Sequence, residues 1–314
     1  MSSFRDQLFL VKAETTPGVF ETLAGADVVP CQSTTPTISA TPVERSILSP
    51  AVPGKLTPDV MAEEQTAVTI TTEVSGSGQA GTPSPVLGKM LALAGFNQTI
   101  ATGQTVTNAL PWPHPTARYS FAFDHSGQRF AGRGGLAETI TFSGEAGQIM
   151  NVETAIRGIY VPISAVSAVT PTFPTLQTPA IINSSGVGTV TIAGVSSCIA
   201  AYSCTVQNTV TRRDDGGDCP PSMVVTDRRV SGSITIRRPE NLATLNLYEK
   251  ALASETMAIV FPYGKTAGNI ITFNHPKVAG MIPASNDRNG LIYLTIEWTQ
   301  INPLLTDQFT IVQS

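Results

Sequence analysis

Charged side chains are scarce in this 314-residue chain, where Asp, Glu, Lys and Arg together make up 13% of the residues. The formal net charge is −4, so no global basic field would draw the protein to nucleic acid. A low share of charge, together with many threonines, serines, glycines and valines, favours a β-rich protein. It also indicates a surface that is partly covered by partner subunits.

Long apolar runs are missing as well. No stretch of about 20 apolar residues occurs, so we expect no membrane-spanning helix. The N-terminal segment lacks a basic region followed by a long apolar core, so we expect a strand over 7–13 and no signal peptide. The cysteines have no disulfide-dense spacing, and we expect free thiols, the last three of them buried like small hydrophobic residues. They are Cys31, Cys198, Cys204 and Cys219.

Motifs for catalysis or cofactor binding are also lacking. His114, His125 and His275 lie in separate segments flanked by Pro, Gly or Asn, which predicts solvated turns and no metal site. No GxSxG elbow supports a nucleophilic serine. The segment 76–81 matches the dinucleotide fingerprint, but the next predicted helix begins only at Pro85 and no βαβ series follows. We therefore predict a flexible loop there, and a protein without enzyme activity, cofactor or metal.

What the chain does contain is a strand–helix–strand module over 228–263. Apolar and polar residues alternate from Val230 to Arg237, which predicts a strand with one apolar and one polar face. Pro239 ends that strand and opens a helix, whose apolar stripe includes Leu245 and Leu252. A second strand over 257–263 completes the module.

The same module occurs earlier in the chain. Alternation over 66–74 predicts a strand, Ser84 and Pro85 begin a helix, and Gly95 ends it. Strand residues resume over 118–124. Two copies of one unit indicate an internal duplication. At about 150 residues per domain, the length gives roughly two domains.

We therefore predict a mainly β chain with two tandem domains, 1–163 and 196–314, each with one flanking α-helix. The proline-rich segment 164–195 is predicted to be a linker. Within the first domain, residues 45–65 form a long proline-interrupted loop. Its apolar side chains favour a contact with a partner.

Four segments in this order carry a family resemblance. They are LFLVKAETTPGVFET with ADVVP, VERSILSP through GKLTPDV to EVSGSGQAGTPSPVLGKMLALAGF, SGQRFAGRGGLAETITFSGEAGQIMNVETAIRGIY, and QNTVTRRDDGGDCPPSMVVTDRRVSGSITIRRP. Together they resemble the tail-tube (major tail) proteins of long-tailed, siphovirus-type bacteriophages.

That resemblance implies β-sandwich or half-barrel domains, stacked as rings into a hollow tube that conducts the DNA genome. Adjacent subunits would join their sheets into one continuous inner β-barrel. The implied partners are other copies of the chain, the tape-measure protein and DNA in the lumen, and tail-terminator and distal-tail proteins at the tube ends. The implied location is the virion, after synthesis in the host cytoplasm.

Three sets of residues are predicted to serve such a tube. The polar faces of the best strands should line the lumen: Thr69, Thr71, Glu73, Asn151, Glu153, Ser231, Ser233, Thr235, Tyr293, Thr295 and Glu297. The loop 45–65 should contact the neighbouring ring through Ile47, Leu48, Val52 and Leu56. A mixed-sign cluster should form ion pairs between subunits: Arg212, Arg213, Asp214, Asp215, Arg228 and Arg229.

Two tube domains per chain predict a ring of three chains with pseudo-sixfold symmetry and roughly 24 barrel strands. The alternative is a ring of six chains, in which one half would be an outer decoration. A different class of protein, a surface or secreted β-sandwich adhesin, is the rival interpretation. The missing signal-peptide pattern and the lack of a ligand-pocket signature count against it.

Overall fold

The computed structural model describes residues 7–45, 58–167, 169–216, 219–239, 245–301 and 308–314. The chain is mainly β, as the alternation predicted. The strands of the first half are β1 (Gln7–Ala13), β2 (Val28–Val29), β3 (Ser33–Val43), β4 (Val60–Glu73), β5 (Asn97–Ala101), β6 (Thr105–Ala109), β7 (Tyr119–His125), β8 (Gln128–Glu145) and β9 (Asn151–Ala165). Those that follow are β10 (Thr191–Ile192), β11 (Val195–Ser196), β12 (Ile199–Arg213), β13 (Ser222–Arg237), β14 (Thr256–Tyr263), β15 (Ile271–Gly280), β16 (Ala284–Arg288), β17 (Leu291–Gln300) and β18 (Thr310–Gln313). The helices are α1 (Leu87–Leu93) and α2 (Leu247–Leu252), with a 3-10 turn at Gly25–Asp27.

An antiparallel series of eight strands forms one layer, in the order β3–β4–β9–β8–β12–β13–β17–β16. Each half of the chain contributes four of these strands in the same relative order. In the first half, the second strand of the hairpin β3–β4 pairs with β9. In the second half, the second strand of the hairpin β12–β13 pairs with β17. In turn, β9 closes a second hairpin with β8, and β17 closes one with β16. The contact between β8 and β12 joins the halves, and among the described strands this layer does not close on itself.

A second layer packs against the first. Its strands run in the order β5–β6–β18–β15–β14–β10–β11, and β15 also pairs with the end of β17. Aromatic rings fill the space between the layers. The ring centroids of Phe142 and Phe273 lie 5.0 Å apart, and those of Tyr202 and Phe261 lie 4.4 Å apart. The strands β1, β2 and β7 continue from the N-terminal part of β8.

One hydrophobic core runs through both halves. A single buried cluster extends from Phe9 to Ile311. The strand β6 of the first half pairs with β18 at the end of the chain. The predicted linker 164–195 supplies β10, which pairs with β14, and it buries Ile182 and Val187. The predicted boundaries 1–163 and 196–314 therefore mark two halves that share both layers and one core.

The first helix has the ends that the sequence predicted. Ser84 Oγ accepts a hydrogen bond from the Leu87 amide at 3.4 Å. The helix begins at Leu87, two residues after the predicted start at Pro85. Gly95 follows the helix with φ of 85°, and the Phe96 amide donates to the Leu91 carbonyl at 3.0 Å. All four apolar residues of the helix that face inward are buried: Leu87, Met90, Leu91 and Leu93.

The second helix departs from its prediction. It begins at Leu247, after Asn246, whose Oδ1 accepts from the Glu249 amide at 3.3 Å. Leu252, predicted to lie on the apolar stripe, is exposed. The reason is geometric, because five positions at 3.6 residues per turn carry Leu252 well away from the buried Leu247. Pro239, where the helix was predicted to open, is described and is not helical, and the residues that follow it, 240–244, lie outside the described residues.

Two smaller predictions are also corrected. His275 does not lie in a solvated turn, because it is fully buried in β15. All four cysteines are free, as predicted, but only Cys204 is buried in the core. Cys198 and Cys219 are exposed, since they lie just before β12 and in the loop between β12 and β13.

Candidate lumen surface and sheet edges

The eight-stranded layer has one apolar and one polar face. Side chains such as Val68, Ile70 and Ile234 are buried against the second layer, while the residues between them are at least partly exposed. All the predicted lumen residues lie on the exposed face: Thr69, Thr71, Glu73, Asn151, Glu153, Ser231, Ser233, Thr235, Tyr293, Thr295 and Glu297. The structure thus brings these residues, which come from four distant segments, onto one surface.

The register turns this surface into rows that cross most of the sheet, over seven and six of its eight strands. One row of directly facing residues consists of Ser33, Thr71, Glu153, Thr141, Thr205, Ser231 and Thr299. A parallel row consists of Glu73, Asn151, Ser143, Ser203, Ser233 and Glu297. Both rows pass through the contact between β8 and β12 without interruption, so the polar face is continuous across the two halves.

The central strands β8 and β12 supply members of this surface that the sequence prediction missed. These are Thr139, Thr141, Ser143, Ser203, Thr205 and Gln207. The hydroxyls of Thr141 and Thr205 lie 3.0 Å apart across the junction between the halves. The alternation of these residues with Ile140 and Phe142 was the available signal.

Charges on the polar face are few and partly paired. Arg157 Nη2 lies 3.1 Å from Glu138 Oε2, and Arg229 Nη2 donates to Thr299 Oγ1 at 3.3 Å. Each cation that faces DNA adds affinity by releasing counterions from the phosphates. A surface rich in hydroxyls and carboxylates offers few such cations.

Four of the predicted ion-pair residues pair with each other within the chain. Arg212 Nη2 lies 2.6 Å from Asp214 Oδ2, and Arg213 pairs with Asp215. Arg212 Nη1 also donates to the Glu64 carbonyl at 2.6 Å, which ties the end of β12 to β4. These contacts lie at the loop end of the hairpin β12–β13. Ion pairing between subunits stays a prediction.

Arg228 has a structural position inside its own chain. Its Nε donates to Asn208 Oδ1 at 2.8 Å and its Nη1 donates to the Pro111 carbonyl at 3.0 Å. Burial lowers the pKa of the Arg228 guanidinium to about 10. Asn208 Nδ2 in turn donates to the carbonyls of Ala94 and Ala137 at 3.2 and 2.9 Å. Arg228 therefore helps to hold the C-terminal end of α1 against β8 and β12.

The predicted inter-ring residues, Ile47, Leu48, Val52 and Leu56, lie outside the described residues. Within the described ranges, no group of three or more His, Cys, Asp or Glu residues is placed to hold a metal ion. Neither helix of the described part of the chain is long and apolar enough to cross a membrane.

The eight-stranded layer ends in two lateral edges. In the part of the chain that the structure describes, β3 pairs with β4 on one side only, and β16 pairs with β17 on one side only. Such edges present unpaired backbone N–H and C=O groups, which are a template for pairing with another chain. The geometry combines an exposed polar face with two edges available for assembly.

Comparison with known proteins identifies the family of the chain. No curated protein matches the chain. A family model described as phage tail tube protein matches residues 5–299, which is nearly the whole chain. The chain therefore belongs to the phage tail tube protein family, a structural family of the virion.

Proposed function

We propose that the chain stacks as rings into the hollow tail tube that conducts the DNA genome from the capsid to the host. The observation that carries this proposal is the continuous eight-stranded layer, with its apolar face on the core and its polar face exposed. Closing such layers into one barrel with other copies pairs the free edges. The polar face then becomes the wall of a water-filled lumen.

The polar rows suit the passage of DNA. Their central members, Thr141 and Thr205, are uncharged, and Glu73, Glu153 and Glu297 on the same face would repel phosphate groups. The phosphates would therefore meet no wall to which they bind strongly. The tape-measure protein would occupy the same lumen before the genome passes.

Stacking and the ends of the tube complete the proposal. Of the predicted loop 45–65, the last six residues form the start of β4, so only the part before Val60 remains as a loop that would contact the next ring. Tail-terminator and distal-tail proteins would bind the terminal rings. The rival function, a surface adhesin, is disfavoured because the family match covers nearly the whole chain.

Microscopy of the purified protein tests this function. We expect negative-stain images to show rings or tubes with a stain-filled channel. A protein that stays dispersed and compact at high concentration would contradict the proposal.

Charge substitutions then test which face lines the channel. The double variant T141K and T205K should make the tubes retain a short DNA duplex that resists nuclease, and salt should release it, because the new cations face the phosphates. The matched control is T99K combined with A101K, which adds two cations on the exposed strand β5 of the second layer. DNA held by this control and not by the variant with T141K and T205K would mean that the faces are inverted.

A further inference from the structure

The contact between the two halves of one chain is a template for the contact between neighbouring chains. The halves share a spatial order of strands. In that order the fourth strand of the first half, β8, pairs with the first strand of the second half, β12. In the same spatial order, the fourth strand of the second half is β16 and the first strand of the first half is β3. Both present a free edge in the described part of the chain.

We infer that β16 of one copy pairs antiparallel with β3 of the next copy, in the register of the pairing between β8 and β12. This inference rests on the proposed function and specifies its ring contact. The two edges differ, so the contact is head-to-tail, and repetition of a head-to-tail contact gives a closed ring when the rotation permits.

Burial along the two equivalent strands supports the pairing. The repeat is anchored by equivalent rows, Ser33–Thr71–Glu153–Thr141 in the first half and Ala201–Thr235–Thr295–Ala284 in the second. In this superposition Ile38 on β3 corresponds to Val206 on β12. Val206 faces Ile140 of β8 and is fully buried, whereas Ile38 is 40% exposed. A strand laid along β3 would cover Ile38 as β8 covers Val206.

The tilt of the sheet supports this superposition. The row of facing residues that starts at Ser33 meets β12 at Thr205. The residue of β12 that is equivalent to Ser33 in the repeat is Ala201, four positions earlier. That displacement is about four residues over four strands, or roughly 13 Å of rise over 19 Å, which gives a tilt of about 35°. Closed barrels have tilts of about 35–45°. The junction within the chain thus already has the stagger that a closed barrel needs.

A second contact repeats in the same way. The loop end of the hairpin β12–β13 buries Val210, Met223 and Val225 in a cluster with Leu136 and Ile159 of the first half. The loop end of the hairpin β3–β4 carries Val43, Val60 and Met61, which are 51–57% exposed. These residues occupy the same place in the repeat as Val210, Met223 and Val225. Within one chain, however, they are not buried by a surface such as that of Leu136 and Ile159.

The matching surface is exposed on the second half. Ile301 corresponds to Ile159, because both lie the same distance beyond the equivalent residues Thr295 and Glu153. Met281 and Ile282 lie just before β16, as Leu136 lies just before the stretch of β8 that faces β12. Met281, Ile282 and Ile301 are 39–64% exposed. We expect the hairpin end of the next copy to pack on them, which removes both apolar patches from water.

Disulfide trapping tests the edge pairing and its register. By the template, Thr35 of one copy faces Asn286 of the next, as Ser203 faces Ser143. The variant T35C with N286C is made in a chain whose Cys31, Cys198 and Cys219 are replaced by serine. Its oxidised rings should give covalent dimers and larger species on a denaturing gel. The two positions lie on opposite edges of one layer, roughly 34 Å apart, so a disulfide within one chain is not possible.

The control is T35C with A284C, which shifts the register by two residues and separates the Cβ atoms by about 7 Å. Efficient cross-linking of this control instead of T35C with N286C would overturn the register. Cross-linking of neither variant in rings seen by microscopy would overturn the edge pairing while the tube function stands. Absence of rings from the unsubstituted protein is the separate result that counts against the function.

Substitution of the apolar contact gives an independent test. M61D and I282D should each leave a folded monomer, because both side chains are exposed in the single chain, but each should abolish rings. The matched control I100D, at an exposed isoleucine on β5, should retain them. Normal rings from both M61D and I282D would refute the packing of the hairpin end on the next copy.

Discussion

At the scale of single residues, His275 is a polar group of the core that burial keeps neutral. His275 Nε2 lies 2.8 Å from the Tyr202 hydroxyl, which donates to it, and His275 Nδ1 donates to Gln300 Oε1 at 3.3 Å. The imidazole stacks on Phe309 with a centroid distance of 4.4 Å. Burial lowers the pKa of His275 to about 3, from an ordinary value of 6.5.

This lowered pKa predicts a loss of stability in acid. Below about pH 6.5 the unfolded chain binds a proton at His275 that the folded chain excludes, so the unfolding free energy falls as the pH falls towards 3. The variant H275Q lacks this proton. Between about pH 6 and about pH 4, the wild-type unfolding free energy should fall faster than that of H275Q, by about 1 kcal/mol per pH unit.

Urea denaturation at several pH values measures both slopes, and His114 contributes equally to each because it is unchanged. Equal slopes for the two proteins would mean that His275 titrates normally in the folded state.

Gly232 lies at a position where any side chain would clash with its surroundings. It faces Trp298 on β17, and a Cβ at this position would lie 2.5 Å from Trp298 Cζ2 and overlap the Ser203 carbonyl oxygen. The backbone atom cannot move without breaking the sheet. Glycine is therefore required by close packing, since Gly232 does not have a positive φ.

We expect G232V to lower the unfolding free energy by at least about 3 kcal/mol, because overpacking forces the indole and the neighbouring strand apart. G232A adds only the clashing Cβ and should change stability in the same direction. The matched control G216V meets no atom within 4 Å of its Cβ and should stay within about 0.5 kcal/mol of the wild type. Denaturation midpoints compare the three variants, and a G232V midpoint equal to that of G216V would contradict the packing argument.

At the scale of elements, alternation predicted the strands that have one buried and one exposed face. The strands over 66–74, 230–237 and 291–299 were predicted within β4, β13 and β17. Their period of two is a direct consequence of that two-faced environment. The strands β5 and β16 were not predicted, because most of their side chains are exposed and their sequences have no apolar period.

The glycine cluster over 132–135 shows a different limit. The strand β8 runs through this cluster with irregular register. A Cβ on Gly132, Gly135 or Gly158 would clash with the ring of Phe121. These glycines let two strands pass close to one aromatic ring. The need for glycine at these positions can be recognised only when the pairing of the strands is known.

At the scale of the whole molecule, the candidate lumen was predictable as a set of strand faces but not as a surface. Alternation identified which side of each strand is polar. The order of strands, with β8 and β12 at the centre, depends on pairings between distant segments. The shared core and the pairing of β6 with β18 likewise depend on long-range contacts. No local pattern specifies such contacts, so the central position of Thr141 and Thr205 could not be predicted, although alternation marks the polar face of each strand.

The eight strands of one chain bear on the number of chains in a ring. Three copies supply 24 strands, and at about 4.8 Å between strands and a tilt of about 35° the barrel has a backbone diameter of roughly 45 Å. Side chains on opposite walls take about 10 Å, which leaves a bore of about 35 Å. This bore is wide enough for a DNA duplex, which is roughly 20 Å wide. Six copies would double the strand number and give a barrel about 90 Å wide, far wider than the cargo.

We therefore predict a ring of three chains with pseudo-sixfold symmetry, in which the junction between β8 and β12 alternates with the junction between β16 and β3. Native mass spectrometry of ring intermediates should show trimers. The oxidised T35C and N286C variant should give a covalent series that ends at three chains, because the third disulfide closes the ring. Covalent species of four to six chains would contradict the trimer. A map with six chains around one lumen would also require that only one half of each chain lines the barrel.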